Sequence, residues 1–450
     1  MFNFLKKQSP VRIIALGFLA TILLGSVLLI LPFSIKPGIQ LNYIDALYTS
    51  TSAVCVTGLI AVDVGTTFTT FGQIVLAVLI QVGGLGVTTI GAGIILAVGK
   101  KMNLKGMNVL RETSSAEFGK GFGKFVRDIF VTTVIIELIG ALLSFIVFSQ
   151  DMPLLTAIGV SLFHSIASFN NSGFDILGGV EGFNQLENLI PYQNNLLLNF
   201  TTCLLIILGG LGFLVIREII RTRFKWKKFS MHTKVVLVTS AVLIVVGTVL
   251  LKLTEDISWL GAFFFSVSAR TAGFATYSLG AVNGVGGFNV AGLLTLIVLM
   301  FIGASSGSTG GGIKTTTFFV LLQGIKSSAT KKSEKAFKYA IPKDAFKKAA
   351  VIALLATFVI VFGSYLISIF ETANTSLPNL RFIDVLFEVT SAFGTVGLST
   401  GITPNLTVAS KITSILIMYI GRLGPLTVAS LWQFAHGERF SYPEGNISIG

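Results

Sequence analysis

Four stretches of this 450-residue chain repeat one pattern, and the chemistry of the molecule is concentrated there. They read DALYTSTSAVCVTGL (Asp45–Leu59), VSLFHSIASFNNSGF (Val160–Phe174), GAFFFSVSARTAGF (Gly261–Phe274) and DVLFEVTSAFGTVGL (Asp384–Leu398). In each, a short amphipathic helical stretch with Ser or Ala near its end runs into a brief strand closed by a glycine–apolar pair. The glycines are Gly58, Gly173, Gly273 and Gly397. A strand of this kind can aim successive carbonyl oxygens at one axis, where they replace the hydration shell of a cation. Glycine supplies φ values that a β-carbon forbids. The preceding helices would point their partially negative C-termini at the same axis. One such glycine could simply close a turn, but four in register call for a common purpose.

Other reactive side chains offer less. His164, His232 and His436 are isolated, so neither a metal site nor a nucleophile–base pair is in prospect. Cys55 and Cys203 lie in apolar stretches without ligand or disulfide spacing, and read as small apolar-tolerant side chains. Gly307 to Lys314 comes near a phosphate-binding loop, but Ile313 intervenes before the lysine and no strand precedes it. Asp45 and Asp384 begin the helical stretches, where capping the positive helix end is favoured over attracting ions.

The elements around these strands belong in a membrane. Hydrophobic residues are 52% of the chain and charged residues 12%, which cannot keep a soluble surface wet. Several apolar runs reach the roughly 20 residues that cross a bilayer. The first, Ile13 to Leu31, is long for a signal core and lacks a small-x-small site before Pro32. It reads as a spanning helix. The net charge of +13 is unevenly placed. Lys6, Lys7, Arg12, Arg439 and three connections (Lys100–Arg127, Arg217–Lys234, Lys326–Lys348) hold 26 of 33 basic residues. Lys36, Lys252, Arg381 and Lys411 fall on the other side. This is the positive-inside pattern, not a nucleic-acid footprint, and it puts both termini in the cytoplasm. The basic connections could serve topology alone, anionic lipid, or a soluble partner.

Between the basic connections lie four units: 1–100, 101–232, 233–345 with a broken final helix, and 346–450 with a cytoplasmic tail. Each has an apolar helix, a polar middle and a second apolar helix. Irregular backbone at membrane depth is tolerated only around a watery cavity or inside protein. An all-α polytopic membrane protein is therefore expected, with eight spanning helices and four re-entrant pore helices around a pseudo-fourfold pore.

With these motifs the chain resembles the Trk/Ktr/HKT superfamily of K⁺ transporters, and most closely the membrane subunits of its Ktr branch. The resemblance covers nearly the whole chain. It rests on the four glycines, the GGLG runs at Gly83–Gly86 and Gly209–Gly212, GASSGSTGGGIKTTT from Gly303 to Thr317, and IGRLGP from Ile420 to Pro425. It implies four selectivity-filter strands that bind K⁺ through backbone carbonyls. These are Cys55, Val56, Thr57 and Gly58; Asn170, Asn171, Ser172 and Gly173; Arg270, Thr271, Ala272 and Gly273; and Gly394, Thr395, Val396 and Gly397. In the family, glycine at all four positions goes with K⁺ preference and serine in the first repeat with Na⁺ transport. Each strand has one glycine at its closing position where the TVGYG loops of K⁺ channels have two glycines, although the fourth strand also opens on Gly394.

The third repeat carries a candidate gate. Gly303, Ala304, Ser305, Ser306, Gly307, Ser308, Thr309, Gly310, Gly311 and Gly312 cannot sustain a helix. Each glycine costs a helix about 1 kcal/mol relative to alanine, and Ser and Thr compete for its backbone bonds. The resemblance implies an intramembrane gating loop here, with Arg422 of the fourth repeat beside it in the cavity. A charge at that depth marks a functional site by default. Lys314 is a candidate anchor for the loop, Glu137 its candidate partner. Arg270 ends a pore helix, where a scaffold role is favoured over contact with ions. No organic cofactor is expected in this chain. The resemblance further implies a homodimer in a bacterial plasma membrane, working with a cytoplasmic nucleotide-binding ring of the KtrA-like RCK kind. Catalysis has no support in the residues. A Na⁺- or H⁺-coupled K⁺ carrier stays open as the alternative to channel-like permeation.

Overall fold

The computed structural model describes residues 10–86, 89, 122–280, 287–331, 334–342 and 344–430. Lys6, Lys7, residues 100–121 of the first basic connection, Lys332, Lys343, His436 and Arg439 lie outside the described residues. Repeat 1 runs through α1 (Pro10–Ile30), α2 (Tyr43–Cys55), the short α3 (Val64–Thr67) and α4 (Thr70–Leu85). Repeat 2 has α5 (Phe122–Phe148), α6 (Leu154–Phe169), α7 (Leu196–Leu211) and α8 (Phe213–Thr222). Repeat 3 has α9 (Met231–Thr254), α10 (Trp259–Ser268), α11 (Val290–Phe301) and α12 (Thr315–Thr330). A small antiparallel hairpin, β1 (Lys335–Ala336) with β2 (Tyr339–Ala340), leads into repeat 4. That repeat has α13 (Ala345–Glu371), α14 (Phe382–Gly394), α15 (Val408–Leu423) and α16 (Pro425–Ser430).

The first helix of each repeat is long: α1, α5, α9 and α13 have 21, 27, 24 and 27 residues. At 1.5 Å rise per residue each can cross the roughly 30 Å hydrocarbon core. Among the described residues these are the four helices long and apolar enough to span alone. Large apolar side chains such as Leu24, Leu142 and Leu354 stay exposed on them, as lipid-facing positions should.

Within each repeat, the short helix docks on the long one through small residues. Ser50, Ser165 and Ser266 donate to the carbonyls of Ile22, Glu137 and Ile244 at 2.6–2.7 Å. Each serine faces a glycine of the long helix, Gly25, Gly140 or Gly247, where a β-carbon would collide with the hydroxyl. In repeat 4 the same place is apolar, with Gly363 facing Val389 and Ile417.

The second helices repay comparison. All four start on an N-cap whose side chain accepts the N–H three residues on: Thr69 from Gly72, Asn195 from Leu198, Asn289 from Gly292 and Thr407 from Ser410. Three end at a glycine with φ near +85 to +88°, namely Gly86, Gly212 and Gly424. Between α7 and α8 the chain turns by 99° at that glycine. The sequence points to a break in the third repeat alone. The structure adds that the other three second helices also stop, each after 16 residues, whereas that of repeat 3 stops after 12. The first glycine of each G-x-L-G run explains why. A β-carbon on Gly83, Gly209 or Gly421 would sit 2.2, 1.9 or 1.9 Å from the carbonyl of Val54, Phe169 or Phe393. The second helices thus touch the ends of the short helices backbone to backbone.

Candidate functional site

Each short helix ends in one of the four candidate filter strands. Their φ values alternate: the second residue of each, Val56, Asn171, Thr271 and Thr395, lies at +57, +59, +88 and +49°. The fourth, Gly58, Gly173, Gly273 and Gly397, lies at +91, +68, +78 and +96°. Left-handed residues at every second place turn successive carbonyls toward one side. Only the last position is reserved for glycine, and packing shows the reason. A β-carbon on Gly58 would fall 2.2 Å from Ser172 O, and on Gly173, 2.7 Å from Ala272 O. On Gly273 it would meet Val396 O at 2.4 Å, and on Gly397, Thr57 O at 2.1 Å. Every glycine therefore abuts the carbonyl just before the next repeat's glycine. The contacts run 1 to 2, 2 to 3, 3 to 4 and back to 1, which makes a closed ring.

The strand N–H groups point away from that ring. Thr57, Ser172, Ala272 and Val396 donate to Ser52, Ala167, Ser268 and Ser391 carbonyls of their own short helices at 2.7–2.9 Å. Gly58 and Gly397 donate to the hydroxyls of Ser52 and Ser391, both at 3.0 Å. With the donors satisfied from behind, the carbonyls are left as the polar face of the ring.

Side chains behind the strands hold them to the scaffold. Asn170 donates to Gln81 Oε1 at 2.7 Å and to Glu137 Oε1 at 3.1 Å. Arg270 reaches Ser240 O and Oγ, both at 3.3 Å, and Gly303 O at 3.5 Å. Its guanidinium is thus held away from the ring. Asp384 caps α14 through Arg381, as the sequence suggests. Asp45 does not cap α2; it is buried in an ion pair with Lys411 of α15 at 2.7 Å. His164 sits in the core, its Nε2 2.9 Å from the Thr202 hydroxyl. Cys55 and Cys203 are buried and free.

Directly under the ring lies the segment joining α11 to α12. Gly310 and Gly311 press on the side chains of Thr271 and Thr395, the second residues of two strands, and Gly311 N–H donates to Thr395 Oγ1 at 2.9 Å. On the repeat 2 side, Ser305 and Thr309 N–H donate to Gly210 O and Gly209 O at 3.0 and 3.3 Å. Ser305 Oγ donates to Leu211 O. Lys314 donates to Gly310 O at 2.6 Å and Gly311 O at 3.3 Å. Glu137, its candidate partner, bonds to Asn170. Arg422 donates to Thr309 O of the loop and to Gly83 O of repeat 1. Through these contacts the loop is fastened to repeats 2 and 4 directly and to repeat 1 by way of Arg422.

Arg422 occupies the second place of its G-x-L-G run, the slot held by Gly84 and Gly210 in repeats 1 and 2. Beyond the loop opens a cavity of about 700 Å³, lined by Ser306, Gly310, Lys314 and Arg422 among others. Among the described residues no carboxylate lines it. Sequence reasoning missed the caps that open the second helices and the glycines that end them. The signal was available in the spacing, because the caps recur once in every repeat and the glycines in three of the four.

The whole sequence bears on which molecules share this plan. Residues 18–437 match the TrkH family, described as a cation transport protein. The chain belongs to that family. It is 36% identical to Ktr system potassium uptake protein B of Bacillus subtilis over 457 residues, covering 98% of this chain and 97% of that one. It is 37% identical to potassium/sodium uptake protein NtpJ of Enterococcus hirae, covering 99% and 98%. Among solved structures, the potassium transporter TrkH from Vibrio parahaemolyticus superposes with a TM-score of 0.68 at 17% identity, covering 93% of this chain and 86% of that one. That likeness bears on the fold: a polytopic helical membrane protein built of pore-loop repeats. Family membership makes the chain a cation transport protein rather than an enzyme.

Proposed function

We propose that this chain is the ion-translocating subunit of a K⁺ uptake system in a bacterial plasma membrane, passing K⁺ through the four-strand filter in a channel-like manner. The observation that carries this reading is the closed ring in which each of Gly58, Gly173, Gly273 and Gly397 abuts the next repeat's carbonyl. Carbonyl rings of this kind coordinate a dehydrated cation without side-chain charge. Glycine in all four places favours K⁺. Relatives of nearly equal identity are named for potassium and for potassium with sodium, so the ring, not overall similarity, carries the choice of ion.

The loop at 303–312, with Lys314 and Arg422, is the gate. It lies between the ring and the cavity, and Lys314 and Arg422 line that cavity with no carboxylate beside them among the described residues. A homodimer and a cytoplasmic nucleotide-binding ring remain part of the reading by resemblance, supported by names that speak of a Ktr system. Both termini are cytoplasmic by the charge asymmetry.

Gly58→Ser is the test. Its β-carbon would meet Ser172 O at 2.2 Å, so uptake by cells or liposomes should lose K⁺ preference and gain Na⁺ relative to K⁺. An unchanged K⁺/Na⁺ ratio at equal membrane level contradicts the filter. One observation favours a coupled carrier as a second reading: Glu137 is a buried carboxyl bonded to the filter-strand residue Asn170. Reversal potentials under pH and Na⁺ gradients separate the two, since a channel's follow K⁺ alone.

A further inference from the structure

Residues 184–189, in the loop after the second strand, cross the outer face of the ring from repeat 1 to repeat 3. At one end Leu186 N–H donates to Asp63 Oδ2 of repeat 1 at 2.9 Å, while the other oxygen of Asp63 caps α3 by accepting from Thr66 N–H at 2.8 Å. At the other end Leu189 N–H donates to Ala275 O of repeat 3 at 3.1 Å. Between them stands Asn188. Its Nδ2 donates to Gly173 O at 3.3 Å and to Asp175 Oδ2 at 2.9 Å. Its Oδ1 accepts from Ala275 N–H at 3.1 Å and Leu189 N–H at 3.0 Å. The amide's orientation follows from its partners, because the reverse would set its NH₂ against two N–H donors. Leu186 and Asn188 both hold φ above +50°. For a leucine that conformation is an outlier that the surroundings must impose.

We propose that Asn188 is a positioning residue for ion selectivity. One amide binds the last carbonyl of the second strand and the first backbone N–H beyond the phenylalanine that follows the third strand's glycine. It therefore fixes the spacing between repeats 2 and 3 at the outer end of the ring. That spacing decides whether the ring can contract around a cation smaller than K⁺. The inference rests on the filter reading above and adds to it a residue outside the four strands.

Asn188→Gly is the informative change, because glycine keeps the left-handed backbone without steric cost and removes all the side-chain bonds. In bi-ionic recordings on purified protein in liposomes, its K⁺/Na⁺ permeability ratio is expected to fall about fivefold, the factor carried by about one net hydrogen bond. Leu186→Gly, which leaves Asn188 bonded, should keep the wild-type ratio. A second route avoids dependence on the glycine variant. Asn188→Asp alone should lower the ratio, and adding Asp175→Asn should restore part of it by exchanging donor and acceptor at unchanged net charge. Wild-type ratios in Asn188→Gly and Asn188→Asp, with Gly58→Ser shifted in the same recordings, overturn the role of Asn188 and leave the filter standing. Wild-type ratios in all three overturn the filter reading itself.

Discussion

The ring and the loop beneath it sit in contact, yet they are built on opposite rules. In the ring, four strands share alternating left-handed residues, an N–H bond back to their own helix and a glycine against the next carbonyl. In the loop, one repeat departs from the other three and the remaining repeats hold it in place. The departure is grafted onto a shared plan, since the second helices of the other three repeats also stop, each at a glycine. Repeats 1 and 2 fill the slot of Arg422 with glycine. Selection needs equal ligands around an axis, whereas obstruction needs something that crosses it. A repeated chain serves both by keeping its symmetry in the backbone and breaking it in one segment and one side chain.

The comparison can be broken from the loop side. Deleting residues within 307–311 removes the backbone under the ring together with the acceptors of Lys314 and one of the two acceptors of Arg422. Uptake assays should show the largest rise in K⁺ flux of any change considered, with the K⁺/Na⁺ ratio retained. If the ratio collapses as well, the two regions are not separable. It can next be broken from the ring side, through the ties between repeats. Lys411→Met leaves Asp45 buried and unpaired, which costs about 3–5 kcal/mol. Thermal unfolding in detergent should show that loss, and Asp45→Asn in the same chain should recover most of it.

A smaller effect sharpens the contrast by lying outside both regions. Between α8 and α9, Glu218 accepts from Ser230 N–H and Oγ, both at 2.7 Å, and from Thr233 Oγ1. Burial pushes its carboxyl up, but the bonds from Thr233 and Ser230 outweigh burial and hold it below the usual 4.5. A depressed carboxyl contributes stability above its unfolded value and loses it as pH falls through the folded one. Glu218→Gln should therefore lower stability by well under about 1 kcal/mol at pH 7, given solvent screening. The difference should vanish in acid, and neither flux nor selectivity should move.

The ring was readable because its demands are local. A helix, a strand and a glycine lie within about fifteen residues, and the pattern recurs four times, so each copy checks the others. The loop was readable for the same reason, since ten residues of glycine, serine, threonine and alanine defeat a helix whatever surrounds them. The ties between repeats were hidden. Asp45 and Lys411 are 366 residues apart, and nothing in either neighbourhood announces the other. Lys314 and Glu137, a possible pair by sequence, each bond to other groups in space. The breaks at Gly86, Gly212 and Gly424 were visible as motifs, but their cause lies in the carbonyls of other helices.

On the function proposed above, ions are chosen at the ring and stopped at the loop, and Arg422→Ala tests this most directly. On that reading Arg422, which lines the cavity beyond the loop, repels a passing cation, and two unit charges several ångströms apart in an effective dielectric of 20 interact by about 2 kcal/mol. Removing it should raise flux roughly thirtyfold. A bi-ionic K⁺/Na⁺ recording on the reconstituted variant reads both quantities at once. A larger current at an unchanged reversal potential is the predicted result. A shifted reversal potential, or an unchanged current at equal protein, contradicts it.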